Sequence, residues 1–385
     1  MTGESFRRLF QRAIAAAPDR LHLAAHSHHL WPDASWLGQQ AAWDDAARLA
    51  DRKWDRVMGE IWPGAQRHVA AELGLPDPAT VVFAPNTHDL IVRLVSAHPG
   101  KRPLRVLASD GEFHSFRRQA ARWVEASEIV LETVPVAGND FTGRFVERAR
   151  TGQWDLIFTS HVMFGSGGVF EGVDELAALS GPDGPWVAID GYHGFMAVET
   201  DLSAVADRVF YLAGGYKYAM AGEGCAFMHC PPGFGPRPAI TGWYAAFDDL
   251  SLPPGTVGYA TDARRFMGAT FDPSGLYRFV AVRDMLAQEG LTTARISAHV
   301  AALRDDLLAR IAHTPLSQAD VLNPPGHGAQ ARFLAFRSPH AAQWQARLLE
   351  QEVVTDVRGD VLRIGLGLYH DARDMARAGD VLARL

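Results

Sequence analysis

The chain has 385 residues, of which 48% are hydrophobic and 21% charged, with a formal net charge of −7. Single cores stop growing beyond roughly 250–300 residues, so this length suits one large domain plus a smaller one, and the composition excludes wholesale disorder. The acidic balance argues against a nucleic-acid partner, because the basic pairs Arg7-Arg8, Arg117-Arg118 and Arg264-Arg265 are too short to be more than solvated surface.

In chain order, Ser5–Ala17 reads as an amphipathic helix, with Phe6, Leu9, Phe10 and Ile14 at helical spacing and Ser5 as its N-cap. No stretch of about 18 apolar residues occurs, so no membrane span is expected and the chain reads as cytoplasmic. An extended segment, LHLAAHSHHLWP, ends at Pro32. An Ala-rich helical region follows from Ala34 to Leu73, with its break expected at Pro63.

The pattern then changes to short apolar runs separated by helical segments: Thr80–Ala84, Arg105–Ser109, Ile129–Pro135, Leu156–Ser160, Trp186–Asp190, Val209–Ala213 and Gly224–Met228. Continuous rather than alternating runs spaced by helices indicate a mostly parallel seven-stranded sheet, buried on both faces. A Pro/Gly-rich irregular stretch runs from Pro231 to Pro273, then one helix from Ser274 to Ala312. The residues Ala331–Leu385 read as strand, helix, strand, helix, which suits a smaller α+β domain.

Ligands of such sheets sit at the carboxyl ends of the strands, and four of those ends carry side chains that make sense together. Asp190 follows the Trp186 run; a carboxylate there serves as a turn former or helix cap, or as the partner of a protonated pyridine nitrogen. Lys217 follows the Val209 run among Gly, Ala, Tyr and Met; a desolvated amine in such company is a nucleophile toward a carbonyl, as a Schiff-base lysine must be. Asn86, Thr87 and His88 open a helix after the Thr80 run, either as a plain N-cap or as an anion site for a cofactor phosphate. After the Arg105 run comes Ser-Asp-Gly-Glu-Phe-His114, where His114 is expected either to stack on a cofactor ring or to be a satisfied buried histidine. Together these point to pyridoxal 5′-phosphate (PLP).

The motif Asp190-Gly-Tyr-His193, followed by Gly-Tyr216-Lys217-Tyr218 and Ala-Gly-Glu-Gly, resembles the class V aminotransferase group of fold-type I PLP-dependent enzymes, and within it kynureninase. The resemblance runs unevenly over nearly the whole chain. It implies an internal aldimine on Lys217, Asp190 at the pyridine nitrogen, His193 near the ring or its 3′-oxygen, and Tyr216 at the phosphate. Gly242-Trp243 and Thr270 would approach the phosphate of a neighbouring subunit, which implies a homodimer with shared sites. Ser160-His161-Val162-Met163-Phe164 is similar to the family's Ser-His-Val run, and the aromatic at Phe164 suits kynureninase better than the cysteine desulfurases. Arg363, in Asp356-Val-Arg-Gly-Asp-Val-Leu-Arg363-Ile-Gly-Leu-Gly, matches the arginine that holds the substrate carboxylate, a job suited to a bidentate fork. The implied division is an N-terminal arm (1–60), a large PLP-binding domain (61–260) and a small C-terminal domain (261–385).

The sequence departs from kynureninase at the pocket-lining N-terminal element, which here reads Ala25-His26-Ser27-His28-His29 and places His26, Ser27 and His28 against substrate. It also has Gly242-Trp-Tyr-Ala-Ala in place of Gly-Trp-Phe-Gly-His, and Gly165 where an arginine is expected. The implied reaction is hydrolytic cleavage of a β,γ carbon–carbon bond of an amino acid, with aminotransfer as the alternative and other PLP lyase or racemase chemistry behind it. A desulfurase needs a cysteine on a late mobile loop, whereas Cys225 and Cys230 lie just after Lys217. The histidines at 22, 26, 28 and 29 have no acidic or cysteine partner at ligand spacing, so no metal site is expected. A non-catalytic binding module would have no need to keep both Lys217 and Asp190.

Overall fold

A computed structural model describes residues 5–138, 140–247, 251–326 and 328–385. The chain opens with a 3₁₀ turn at Arg7–Phe10 that continues as the helix Gln11–Ala15, burying Leu9 and Phe10. Phe6, not Ser5, precedes the first turn, and no side chain caps it. The two-residue strand β1 (Leu21–His22) follows.

The helix Asp33–Leu49 ends at Ala50, which has a φ of 48°. The expected break at Pro63 is therefore displaced: Pro63 sits in the first turn of the helix Trp62–Leu73, directly after a π turn at Val57–Ile61. A first-turn proline withholds an N–H that the helix end does not need.

The seven runs form one sheet. Its strands are β2 (Val81–Ala84), β3 (Leu104–Ser109), β4 (Ile129–Val134), β5 (Leu156–Ser160), β6 (Trp186–Asp190), β7 (Val209–Gly214) and β8 (Ala226–His229). Their order is β2-β8-β7-β6-β5-β3-β4, and β8 is antiparallel to both neighbours while the other pairings are parallel. Every residue of β2, β5, β7 and β8 is buried, as continuous apolar runs require. The edge strand β4 has a mixed pattern, with Val130 exposed. The chain steps outward from β3 to β4 and then returns through β5, β6 and β7, so the order reverses between β3 and β5. Open sheets bind ligands at such a reversal.

The expected long C-terminal helix is two, Ser274–Gln288 and Thr293–Ile311, separated at Gly290 with a φ of 63°. The first packs on Asp33–Leu49 so closely that a Cβ on Gly38 would lie 2.6 Å from the Tyr277 carbonyl oxygen. Beyond them lie β9 (Asp320–Val321), β10 (Phe333–Arg337), the helix Ala341–Leu349, β11 (Val353–Val354), β12 (Asp356–Arg358), β13 (Val361–Gly365) and the helix Ala372–Leu382. A second, antiparallel sheet runs β12-β13-β10-β9, while β1 pairs in parallel with β11. Among the described residues no helix is long and apolar enough to cross a membrane.

Candidate active site

A cavity of about 260 Å³ opens at the carboxyl ends of the large sheet. Its walls come from Asn86, Thr87 and His88 after β2, Phe113 and Ser115 after β3, Ser160, Val162 and Phe164 at the end of β5, Asp190, Tyr192 and His193 at the end of β6, and Tyr216 and Lys217 after β7. Residues far apart in the chain meet because parallel strands present all their carboxyl ends to one side.

Lys217 is 5% exposed, and its Nζ lies 2.6 Å from His193 Nε2. The rings of Tyr192, Phe113 and Tyr216 surround the amine, with centroids at 4.8, 5.6 and 5.7 Å. Burial, with the arginines at 363 and 358, lowers the amine to a pKa of about 7 against the pull of Asp190. His193 is pushed well below the usual imidazole range by burial and by the Lys217 charge. The neutral ring therefore accepts from Lys217 at Nε2 and carries its proton at Nδ1, which is buried without a partner.

Asp190 ends β6, and its Oδ1 accepts from the Tyr192 N–H at 3.0 Å. Desolvation raises its carboxyl, with the Tyr192 N–H and Lys217 acting in opposition. It forms no salt bridge with any described residue, so it lacks the close cation that would hold it ionised. The helix Thr87–Ala97 starts at the cavity, where Asn86 caps it by accepting from the Asp89 N–H at 2.9 Å. A shielded amine, an enclosed carboxylate short of a cation and a helix N-terminus match the aldehyde, the ring nitrogen and the phosphate of PLP.

Not every expected residue lines this cavity. His114 begins the helix His114–Glu125 and is exposed, while its neighbour Phe113 faces inward. Expecting His114 at the ring is thus corrected by one position: the helix start turns residue 114 outward. Arg363 on β13 is 2% exposed and does not line the cavity. Its fork is filled by Asp356, its cross-strand partner in the register, and by the Phe164 carbonyl oxygen at 2.5 Å. A buried guanidinium takes the closest anion. Burial alone would raise the Asp356 carboxyl, but His26, Arg363 and Arg358 hold it at about 2.

The N-terminal histidines disperse. His26 is fully buried, stacks on Phe333 and lies 3.6 Å from Asp356; burial keeps it neutral, with a pKa of about 4. His28 is exposed, stacks on Tyr216 at 4.8 Å and lies 3.3 Å from Glu223. Ser27 is half-buried, and neither it nor His26 nor His28 lines the cavity. His22 meets the Tyr369 hydroxyl, and His29 the Leu30 carbonyl. Among the described residues no three His, Cys, Asp or Glu side chains gather as a metal site. Trp243 is 45% exposed, Thr270 is exposed as well, and both lie outside the cavity of their own chain.

Sequence reasoning passed over Glu112. It is fully buried at the β3–β5 reversal and accepts from Ser109 Oγ at 2.5 Å, Ser160 Oγ at 2.6 Å and the Ser160 N–H at 3.1 Å. Burial raises its carboxyl to about 7. The signal was present in Ser109-Asp-Gly-Glu112, a polar run at a strand end.

No family model matches the chain. It is 26% identical to isopenicillin N epimerase of Streptomyces clavuligerus, over 88% of this chain and 89% of that protein. It is 23% identical to the kynureninase of Deinococcus radiodurans, over 86% and 83%. Among solved structures, the cystine C–S lyase C-DES superposes with a TM-score of 0.81 at 15% identity, covering 96% of this chain and 99% of that one. A variant of that lyase carries glycine covalently linked to its PLP cofactor. By superposition over nearly its whole length, the chain has the fold of the fold-type I PLP-dependent enzymes.

Proposed function

We propose that the chain is a PLP-dependent enzyme acting on an amino acid, with Lys217 linked to the cofactor aldehyde and Asp190 at the ring nitrogen. The observation that carries this reading is the buried Lys217 amine, lowered to about 7 and sharing one cavity with an enclosed carboxylate that has no salt-bridge partner among the described residues. When bound, PLP supplies an electron sink that stabilises negative charge at the substrate α-carbon. Asp190 favours a cationic ring by placing an anion beside it. The first-turn amides after Asn86 receive the phosphate, and Phe113, Tyr192 and Tyr216 keep water from the amine. Lys217 Nζ, neutral over much of the physiological range, takes the α-proton, and His193 Nε2 at 2.6 Å holds the amine in place as acceptor.

For the reaction we take kynureninase-like hydrolysis: water adds across a β,γ carbon–carbon bond, releasing alanine and a carboxylic acid. The kynureninase relative, Phe164 in the cavity wall and the absence of a cysteine from it support this course. Epimerisation at the α-carbon is the second reading, favoured by the likeness to isopenicillin N epimerase, and aminotransfer is a third. Arg363 binds the substrate carboxylate after releasing Asp356. A homodimer brings Trp243 and Thr270, exposed on one chain, toward the partner's phosphate site.

The deciding experiment mixes PLP-loaded protein with a panel of amino acids, including kynurenine and 3-hydroxykynurenine. Alanine with an aromatic acid means hydrolysis, a change of optical rotation alone means epimerisation, and keto acid with pyridoxamine phosphate means aminotransfer. No visible absorption band after loading with PLP would sink the cofactor assignment itself.

A further inference from the structure

A second cavity, about 490 Å³, lies between the helix Thr293–Ile311 and the strands β10 and β13, and it shares no lining residue with the Lys217 cavity. Ala301 and Leu307 of the helix and Phe333 and Ile364 of the strands give it an apolar wall. Phe333 divides the two cavities: it lines this one, while its ring centroid lies 5.6 Å from that of His193.

The polar content of this cavity is lopsided. Arg332 lines it at 6% exposure; its Nε and Nη2 donate to Ser297 Oγ at 3.2 and 2.9 Å, and Nη2 donates also to the Thr293 carbonyl at 3.1 Å. Among the described residues its Nη1 has no hydrogen-bond partner and no carboxylate forms a salt bridge with the guanidinium, whose central carbon lies 5.5 Å from the centroid of the Tyr218 ring. Glu72, whose charge reaches Arg332, is held by Arg283 at 2.8 Å and by the Thr293 hydroxyl. Arg304 is answered by Asp305 and Gln330, and Glu199 is exposed at the rim. A buried cation without an anion is costly, and an apolar wall opposite it has no water-soluble partner of its own.

We infer that this cavity is a second small-molecule site, built for a monocarboxylate with a small apolar body. The carboxylate meets Arg332 Nη1, and the hydrocarbon packs between Leu307, Phe333 and Ile364. Its volume falls in the range of small-molecule sites. The inference does not depend on the cofactor assignment.

The test is calorimetric titration of the PLP-loaded protein with hexanoate, with 1-hexanol and hexylamine as uncharged and cationic counterparts. Hexanoate is expected to bind at one per chain, with the alcohol at least about tenfold weaker and the amine silent. Arg332→Gln should weaken hexanoate by about tenfold or more, and Ala301→Trp, which fills the cavity, should abolish binding with the cofactor's visible band unchanged. Should Arg332→Gln fail to fold, Ala301→Trp and the alcohol comparison still decide. The inference is overturned if hexanoate gives no heat at millimolar concentration. It is equally overturned if binding survives Ala301→Trp, or if hexanoate alters the visible band and so occupies the Lys217 cavity.

Discussion

Two clusters of buried charge lie close together and are treated in opposite ways. At the ends of β6 and β7, the hydrogen bonds among the described residues give Lys217 a neutral imidazole and Asp190 one backbone N–H. On the second sheet, Asp356 is shared by two cations, Arg363 and Arg358, across β12 and β13. The first cluster pushes its groups toward their uncharged forms, while the second holds Asp356 near 2. A site left short of counter-charge is ready for a ligand that brings one, whereas a satisfied site must exchange partners to bind.

The hardest blow to the first cluster is Lys217→Ala, which should remove the PLP visible band and reduce turnover by several orders of magnitude; a band that persists would place the cofactor elsewhere. Asp190→Ala should lower turnover by about a hundredfold or more with PLP still partly bound, seen as a loss in kcat rather than KM. The amine's lowered pKa implies that its reactive free base rises from about a tenth at pH 6 to about nine tenths at pH 8. The rate of PLP loading onto cofactor-free protein should therefore rise about tenfold and level off near pH 8. A rate still climbing at pH 9 would mean an ordinary, solvated lysine.

Glu112 ties the end of β3 to that of β5. Glu112→Ala strands three donors and should cost roughly 2–4 kcal/mol in denaturant unfolding, while Glu112→Gln keeps an acceptor and should cost less than half of that. Equal losses would mean that the carboxyl's charge matters more than its bonds. The mildest change is Asp356→Asn, which frees the Arg363 fork and should lower KM for the amino acid a few-fold; a KM that stays put would take Arg363 out of substrate binding.

Most of the large sheet was legible because its strands are unbroken apolar runs: the bounds read for Leu156–Ser160 and Trp186–Asp190 are those observed. The place of Lys217 and Asp190 at the cavity was legible because Asp190 ends one such run and Lys217 closely follows another. The break at Ala50 was not, since an alanine at positive φ leaves no compositional trace. Nor was the split at Gly290, which a long helical pattern conceals. At residue 114 the error was one of phase: a strand-to-helix turn decides which of two adjacent aromatic rings points inward. The pairing of Arg363 with Asp356 depends on antiparallel register, which local sequence does not encode.

The pairing of β1 with β11 joins segments about 330 residues apart, and Ala24 bridges to Gly365 beside it. During synthesis β1 must wait, unpartnered, until the roughly 330 residues that separate it from β11 have left the ribosome. Closing so wide a loop adds little to the equilibrium cost, because that cost grows only logarithmically, but it makes this ribbon a late event in folding. Clipping the amino-terminal segment should therefore loosen the carboxyl-terminal part of the chain, while the large sheet, whose strands all lie between these two ends, keeps its order.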